Sequence, residues 1–142
     1  MKLKLQSFLF IIFSMISWQS FAQNVSLYQS FNGRYDFVLE GNTLNTVENG
    51  TTAVCTILTG SSATLSLNPN DQIISAYLYW AGSGSGDFDI KLNGVDISAE
   101  RDFPITQPTS GLPYFSAFAN VTAQVLATGT GIYTVSELDL PG

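Results

Sequence analysis

The chain has 142 residues, a formal net charge of −6, no histidine and one cysteine. The acidic balance argues against nucleic acid and anionic lipid as partners. The lack of histidine excludes His-based triads and imidazole metal ligands, and one cysteine cannot build a zinc or iron–sulfur site.

Residues 1–4 are basic, residues 8–18 are apolar, and Ser20-Phe21-Ala22 is a small-x-small cleavage site. This is the pattern of a secretory signal peptide spanning residues 1–22, too short for a comfortable transmembrane span. The expected mature chain, residues 23–142, suits one domain with one core. It is expected to be secreted, extracellular or on the cell surface, with no membrane segment. It keeps Arg34, Lys91 and Arg101 against eleven acids.

Residues 25–31 alternate polar and apolar and read as a first strand, turned by Asn32-Gly33 into a second over 35–40. Residues 41–50 are a polar loop. Residues 51–58 are β-branched and read as a third strand. It contains Cys55, either a small buried hydrophobe or half of a disulfide whose partner lies beyond Gly142. A loop over 59–62, a short strand over 63–67 and a turn over 68–71 lead to an aromatic strand over 73–80. The Gly-Ser loop over 81–86 is a flexible connection and not a phosphate cradle, because no Gly-Lys-Ser/Thr follows and the next element is a strand.

Asn93-Gly94 between alternating apolar residues predicts a type I′ hairpin over 87–100. The register pairs Leu92 with Val95, Lys91 with Asp96, Ile90 with Ile97, Asp89 with Ser98, Phe88 with Ala99 and Asp87 with Glu100. Phe88, Ile90, Leu92, Val95, Ile97 and Ala99 then form one apolar face, and the opposite face is nearly all charged. Residues 101–105 extend or bend the second arm, and 106–113 form a loop. Residues 114–127 read as a strand-like start followed by one or two helical turns over 121–126, with Asn120 as the cap. A last strand covers 132–138. Short strands, frequent turns and almost no helix predict an all-β fold, an antiparallel, jelly-roll-like β-sandwich; a barrel is the alternative.

Two places on this frame carry candidate chemistry. Tyr77 and Tyr79 share one face of their strand, opposite Ile74, Ala76, Leu78 and Trp80. They form a platform for sugar rings unless a second sheet or further chain covers them. Asp87, Asp89 and Glu100, with Asp96 and Asp102 nearby, are the candidate calcium ligands. The competing reading is a solvated acidic face on which Lys91 pairs across the strands with Asp96. No catalytic residue is expected, since nothing around these acids would raise a pKa, and calcium is the only cofactor in question.

The runs Ala-Tyr-Leu-Tyr-Trp-Ala-Gly-Ser-Gly (76–84), Asp-Phe-Asp-Ile-Lys-Leu-Asn-Gly (87–94), Phe-Ala-Asn-Val-Thr (118–122) and Gly-Ile-Tyr-Thr-Val-Ser-Glu-Leu-Asp-Leu (131–140) carry a resemblance. The sequence resembles the N-terminal β-rich region of gliding-motility-associated, type IX-secreted cell-surface proteins of gliding bacteria. More loosely, it looks like galactose-binding-type jelly rolls. The first resemblance implies a non-catalytic exported surface module with an adhesive or structural role, and surface glycans or other surface proteins as partners. It also implies a domain that continues beyond Gly142, often through a further cysteine. The alternative function is a carbohydrate-binding module.

Overall fold

The computed structural model describes residues 27–47 and 57–139. The chain divides into two compact units, residues 1–37 and 38–142. The signal-peptide pattern and Cys55 lie outside the described residues.

The second unit holds the regular elements. These are β1 (Gly60–Leu65), β2 (Tyr77–Ser83), β3 (Asp89–Leu92), β4 (Val95–Ser98), β5 (Arg101–Thr106), β6 (Pro113–Asn120), α1 (Thr122–Thr128) and β7 (Gly131–Ser136). The fold is all-β: two antiparallel sheets and one short helix among the described residues. One sheet has the order β1-β7-β3-β4 and the other β2-β6-β5.

The hairpin forms in the expected register, with Asp89, Ile90, Lys91 and Leu92 opposite Ser98, Ile97, Asp96 and Val95. Asn93 and Gly94 carry the positive φ values, 51° and 79°, that the type I′ turn demands. Asn93 also binds the turn to β7. Its N–H donates to the Thr134 carbonyl at 2.8 Å, and its Oδ1 accepts from the Thr134 N–H at 2.8 Å.

Beyond the hairpin the chain changes sheet. The Ala99 N–H still donates to the Phe88 carbonyl, but the next N–H, of Glu100, donates to the Phe118 carbonyl, each at 2.8 Å. Asp87 and Glu100 therefore do not end up opposite each other. Residues 101–106 do not prolong the hairpin; they form the edge strand β5, paired with β6. Lys91 also departs from expectation. Its ammonium reaches both carboxylate oxygens of Glu137 at 2.7 Å, while Asp96 stands 3.8 Å away. This neighbour, one residue past the end of β7 and invisible to hairpin logic, is the nearer partner.

Residues 114–127 resolve as strand then helix. Asn120 is not the cap: Val121 is the N-cap and no side chain caps the helix, while Asn120 Oδ1 accepts from the Thr122 N–H at 3.0 Å, closing a turn just ahead of it. The helix buries Val125 and ends at Gly129, whose φ of 68° and N–H bond to the Val125 carbonyl make a C-terminal cap.

One hydrophobic cluster takes side chains from both sheets. Trp80, Phe115, Ala117 and Ala119 come from the three-stranded sheet, Ile90, Leu92 and Ile97 from the four-stranded one, and Val121, Val125 and Leu138 from the segments around them. The apolar hairpin face is thus the core face. Val95, at the turn, is half exposed, and Phe88 and Ala99 pack on the cluster's margin. The Trp80 indole N–H is satisfied by the Asp87 carbonyl at 2.9 Å. No side chain classed as polar or charged is buried among the described residues.

Of the strands expected over 25–31 and 35–40, neither is formed among the described residues, which begin at 27. Residues 27–40 carry no strand, only a bend at Asn32-Gly33. Their alternation names a face to bury, but Tyr35, Phe37 and Leu39 remain exposed. Alternation supplies no ladder partner, and a strand without one leaves its backbone groups to water. Of the strand expected over 51–58 only Ile57 and Leu58 are described. Ile57 bridges to Asn45, and the Leu58 N–H donates to the Leu44 carbonyl at 2.7 Å.

Candidate functional site: the outer face of the three-stranded sheet

β2 lies in the expected phase from Ala76 onward. Leu78 and Trp80 turn to the core, and Tyr77 and Tyr79 turn away. Ile74 does not join the core face; Ile73 packs against the cluster instead, because the strand begins only at Tyr77. The two tyrosines differ. Tyr79 is 70 % exposed, whereas Tyr77 is half buried.

What supports them is Phe118 of β6. Its neighbours Ala117 and Ala119 face the core, so Phe118 faces outward, and yet it is only 3 % exposed. Its ring lies 5.0 Å from Tyr79 and 5.5 Å from Tyr77, both tilted. The Arg101 guanidinium carbon stands 5.9 Å from the Phe118 centroid, within cation–π range. Tyr79 is therefore an exposed ring resting on a buried one, with a cation on the far side.

Strand pairing extends the face. Directly opposed residues point to the same side of a sheet. Tyr79, Phe118 and Arg101 form one row across the three strands. Ala81, Ser116 and Phe103 form the next, and Ser83, Tyr114 and Ile105 a third. Phe103 and Ile105 are 50 % and 59 % exposed. All six residues of β5 are exposed, so this edge strand reaches past the core.

Of the sequence-derived site residues, Tyr77 and Tyr79 come together as expected. The rest of the face was missed, because β5–β6 pairing joins segments separated by a loop. The signal was present as matching alternation in Arg101-Phe103-Ile105 and Tyr114-Ser116-Phe118.

The acidic candidates have different surroundings. Asp89 Oδ1 accepts from the Ser98 hydroxyl at 2.6 Å. Asp87 accepts from the Asp89 N–H at 3.1 Å and the Asp139 N–H at 2.7 Å. Glu100 turns to the Asn120 N–H at 3.3 Å. No group of three or more His, Cys, Asp or Glu able to hold a metal ion occurs among the described residues. The sheet change after Ala99 is what takes Glu100 out of the ladder beside Asp87 and Asp89.

An open groove of about 330 Å³ lies between the hairpin turn and the helix, lined by Leu92, Val95, Ala123, Thr128 and Tyr133 among others. The Tyr133 hydroxyl is committed to the Gly129 carbonyl at 2.6 Å. Among the described residues no helix is long and apolar enough to cross a membrane. Comparison with protein-family models, with curated proteins and with solved structures found no match.

Proposed function

We propose that this chain is a non-catalytic, exported cell-surface module that works by contact, in adhesion or as a structural piece of a surface protein. Its entry into the export pathway rests on the signal-peptide pattern of residues 1–22. The observation that carries the contact role is the outer face of the β2-β6-β5 sheet. Tyr79, Phe103 and Ile105 stand exposed on one sheet face, with Tyr79 resting on the buried Phe118 ring. Contact surfaces need such exposed, supported aromatic area.

The test is retention of the fluorescently labelled full chain on intact bacterial cells and on extracted surface polymers. Retention that falls when Tyr79 is replaced by alanine supports the reading. Absence of retention, or turnover of a surface polymer by the chain, overturns it.

A second reading, a carbohydrate-binding module, is favoured by one specific feature. Tyr79 presents a ring to solvent while Phe118 and Arg101 support the surface beneath and beside it. A ring held this way loses little further freedom on stacking, which lowers the entropic cost of binding.

A further inference from the structure

Asn-Gly occurs at 32–33, 49–50 and 93–94. The pair is chemically labile for a steric reason. The backbone nitrogen that follows an asparagine can reach its side-chain carbonyl carbon, and glycine, with no Cβ, leaves that approach open. Residues 32–33 and 93–94 are described, and the fold treats them oppositely. Asn93 is tied to β7 three ways. Its N–H donates to the Thr134 carbonyl at 2.8 Å, its Oδ1 accepts from the Thr134 N–H at 2.8 Å, and its Nδ2 donates to the Ile132 carbonyl at 3.3 Å. Asn32 has none of these ties. It is exposed, it stands just ahead of a bend in a stretch without strand or helix, and no hydrogen bond to it occurs among the described residues. The preceding residues, Phe31 and Leu92, are both large and apolar.

We infer that Asn32 is a site of spontaneous deamidation in the folded chain, and that the fold protects Asn93 from the same reaction. The Gly33 nitrogen gives up its proton to water or hydroxide and attacks Asn32 Cγ. A bond from that nitrogen to Cγ forms, the Cγ–Nδ2 bond breaks, and ammonia leaves, closing a cyclic imide. Water then opens the ring. Attack at Cγ leaves an aspartate at position 32. Attack at the main-chain carbonyl carbon leaves an isoaspartate, with the chain running through the former side chain. Water is the only co-reactant. Each product carries one more negative charge than asparagine, and the isoaspartate lengthens the backbone by one carbon. A strand ladder could not absorb that extra atom without disturbing its register. Residues 27–40 carry no ladder, so the modified chain keeps its fold. At Asn93 the attack must first release the side-chain bonds to Thr134 and Ile132, and the product would break the hairpin turn. The result is a second, more acidic form of the chain, altered at one residue of the first compact unit.

The test incubates the full chain in mildly alkaline buffer, with and without denaturing urea, and samples it over weeks. Brief trypsin digestion and mass spectrometry follow. Cleavage after Arg34, Lys91 and Arg101 puts Asn32, Asn49 and Asn93 in separate peptides, so each conversion is read by itself. In the folded chain the Asn32 peptide should gain the mass of an amide-to-acid conversion and split chromatographically into aspartate and isoaspartate forms. The Asn93 peptide should convert at least about tenfold more slowly, since its hydrogen bonds must open first. In urea the two rates should come together. Gly33→Ala should slow conversion at residue 32 about tenfold, because the added methyl group crowds the attacking nitrogen. Circular dichroism of the aged chain should match that of the fresh one. An Asn32 peptide that stays unconverted overturns the site. Equal rates at Asn32 and Asn93 in the folded chain overturn the protection by β7, and so does a rate difference that persists undiminished in urea.

Discussion

Replacing Gly86 by alanine probes how the loop ahead of the hairpin is packed. Gly86 has a φ of 98°, a conformation that side-chain-bearing residues rarely adopt. A Cβ built there would sit 2.5 Å from Phe88 Cζ and 3.1 Å from Phe115 Cγ. Those two rings meet edge to face at 5.7 Å, and Phe115 is part of the core cluster, so neither yields freely. The backbone term is roughly 1–3 kcal/mol for a residue held in a sparsely populated region. Forcing the extra carbon into packed rings adds about 1–3 kcal/mol. Gly86→Ala should therefore destabilise the chain by about 2–6 kcal/mol. Gly94→Ala is the control, because its φ of 79° is also positive but nothing lies within 4 Å of its Cβ position. It should show the backbone term alone. Urea unfolding at neutral pH followed by Trp fluorescence measures both. Equal losses for the two variants would refute the steric reasoning. In a Phe88→Ala background the excess cost of Gly86→Ala should shrink, since the closest contact is gone.

Three further outcomes follow from the same geometry. Ile90, 2 % exposed at the centre of the hairpin face, should cost about 2–5 kcal/mol on truncation to alanine, checked by urea unfolding. Asn93→Ala should cost about 1–3 kcal/mol on the same measure, because it gives up both a residue tolerant of positive φ and the acceptor for the Thr134 N–H. The Lys91 pKa is raised above its ordinary 10.5, chiefly by the hydrogen bond to Glu137. A raised pKa means that the folded state holds the proton more tightly. The contribution is therefore complete below about pH 10 and is lost as pH climbs through the folded-state value. The difference in melting temperature between the wild type and Lys91→Met should be constant from pH 7 to 9 and close above about pH 10.5. A gap that widens with alkalinity would contradict the pairing.

The sequence was most informative where a local rule fixed a long stretch. Asn93-Gly94 set the turn, the turn set the register, and the register correctly sorted Ile90, Leu92 and Ile97 into the core. The helix at Thr122–Thr128 and the outward placement of Tyr77 and Tyr79 were also legible, since each follows from short-range periodicity. What escaped was non-local. Nothing near Ala99 signals that the next residue joins the other sheet, so Arg101, Phe103 and Ile105 could not be set beside Phe118, Ser116 and Tyr114. The Lys91–Glu137 pair was missed for the same reason, its carboxylate arriving from just past the end of β7, 46 residues on. The residues 27–31 and 35–40, which form no strand, show the converse. Clean alternation in residues such as Tyr35, Phe37 and Leu39 names a face but does not provide a neighbouring strand.

The most direct measurement is a map of backbone amide shifts in the full chain as an extracted surface polymer that retains it is titrated in. Shifts are expected at Tyr79, Ala81, Phe103, Tyr114 and Ser116, spread over three strands and meeting on one face. Shifts confined to Leu92, Val95, Ala123 and Thr128, or to Asp87 and Asp89, would place the contact in the helix groove or on the acidic hairpin and contradict a binding role for the outer sheet face.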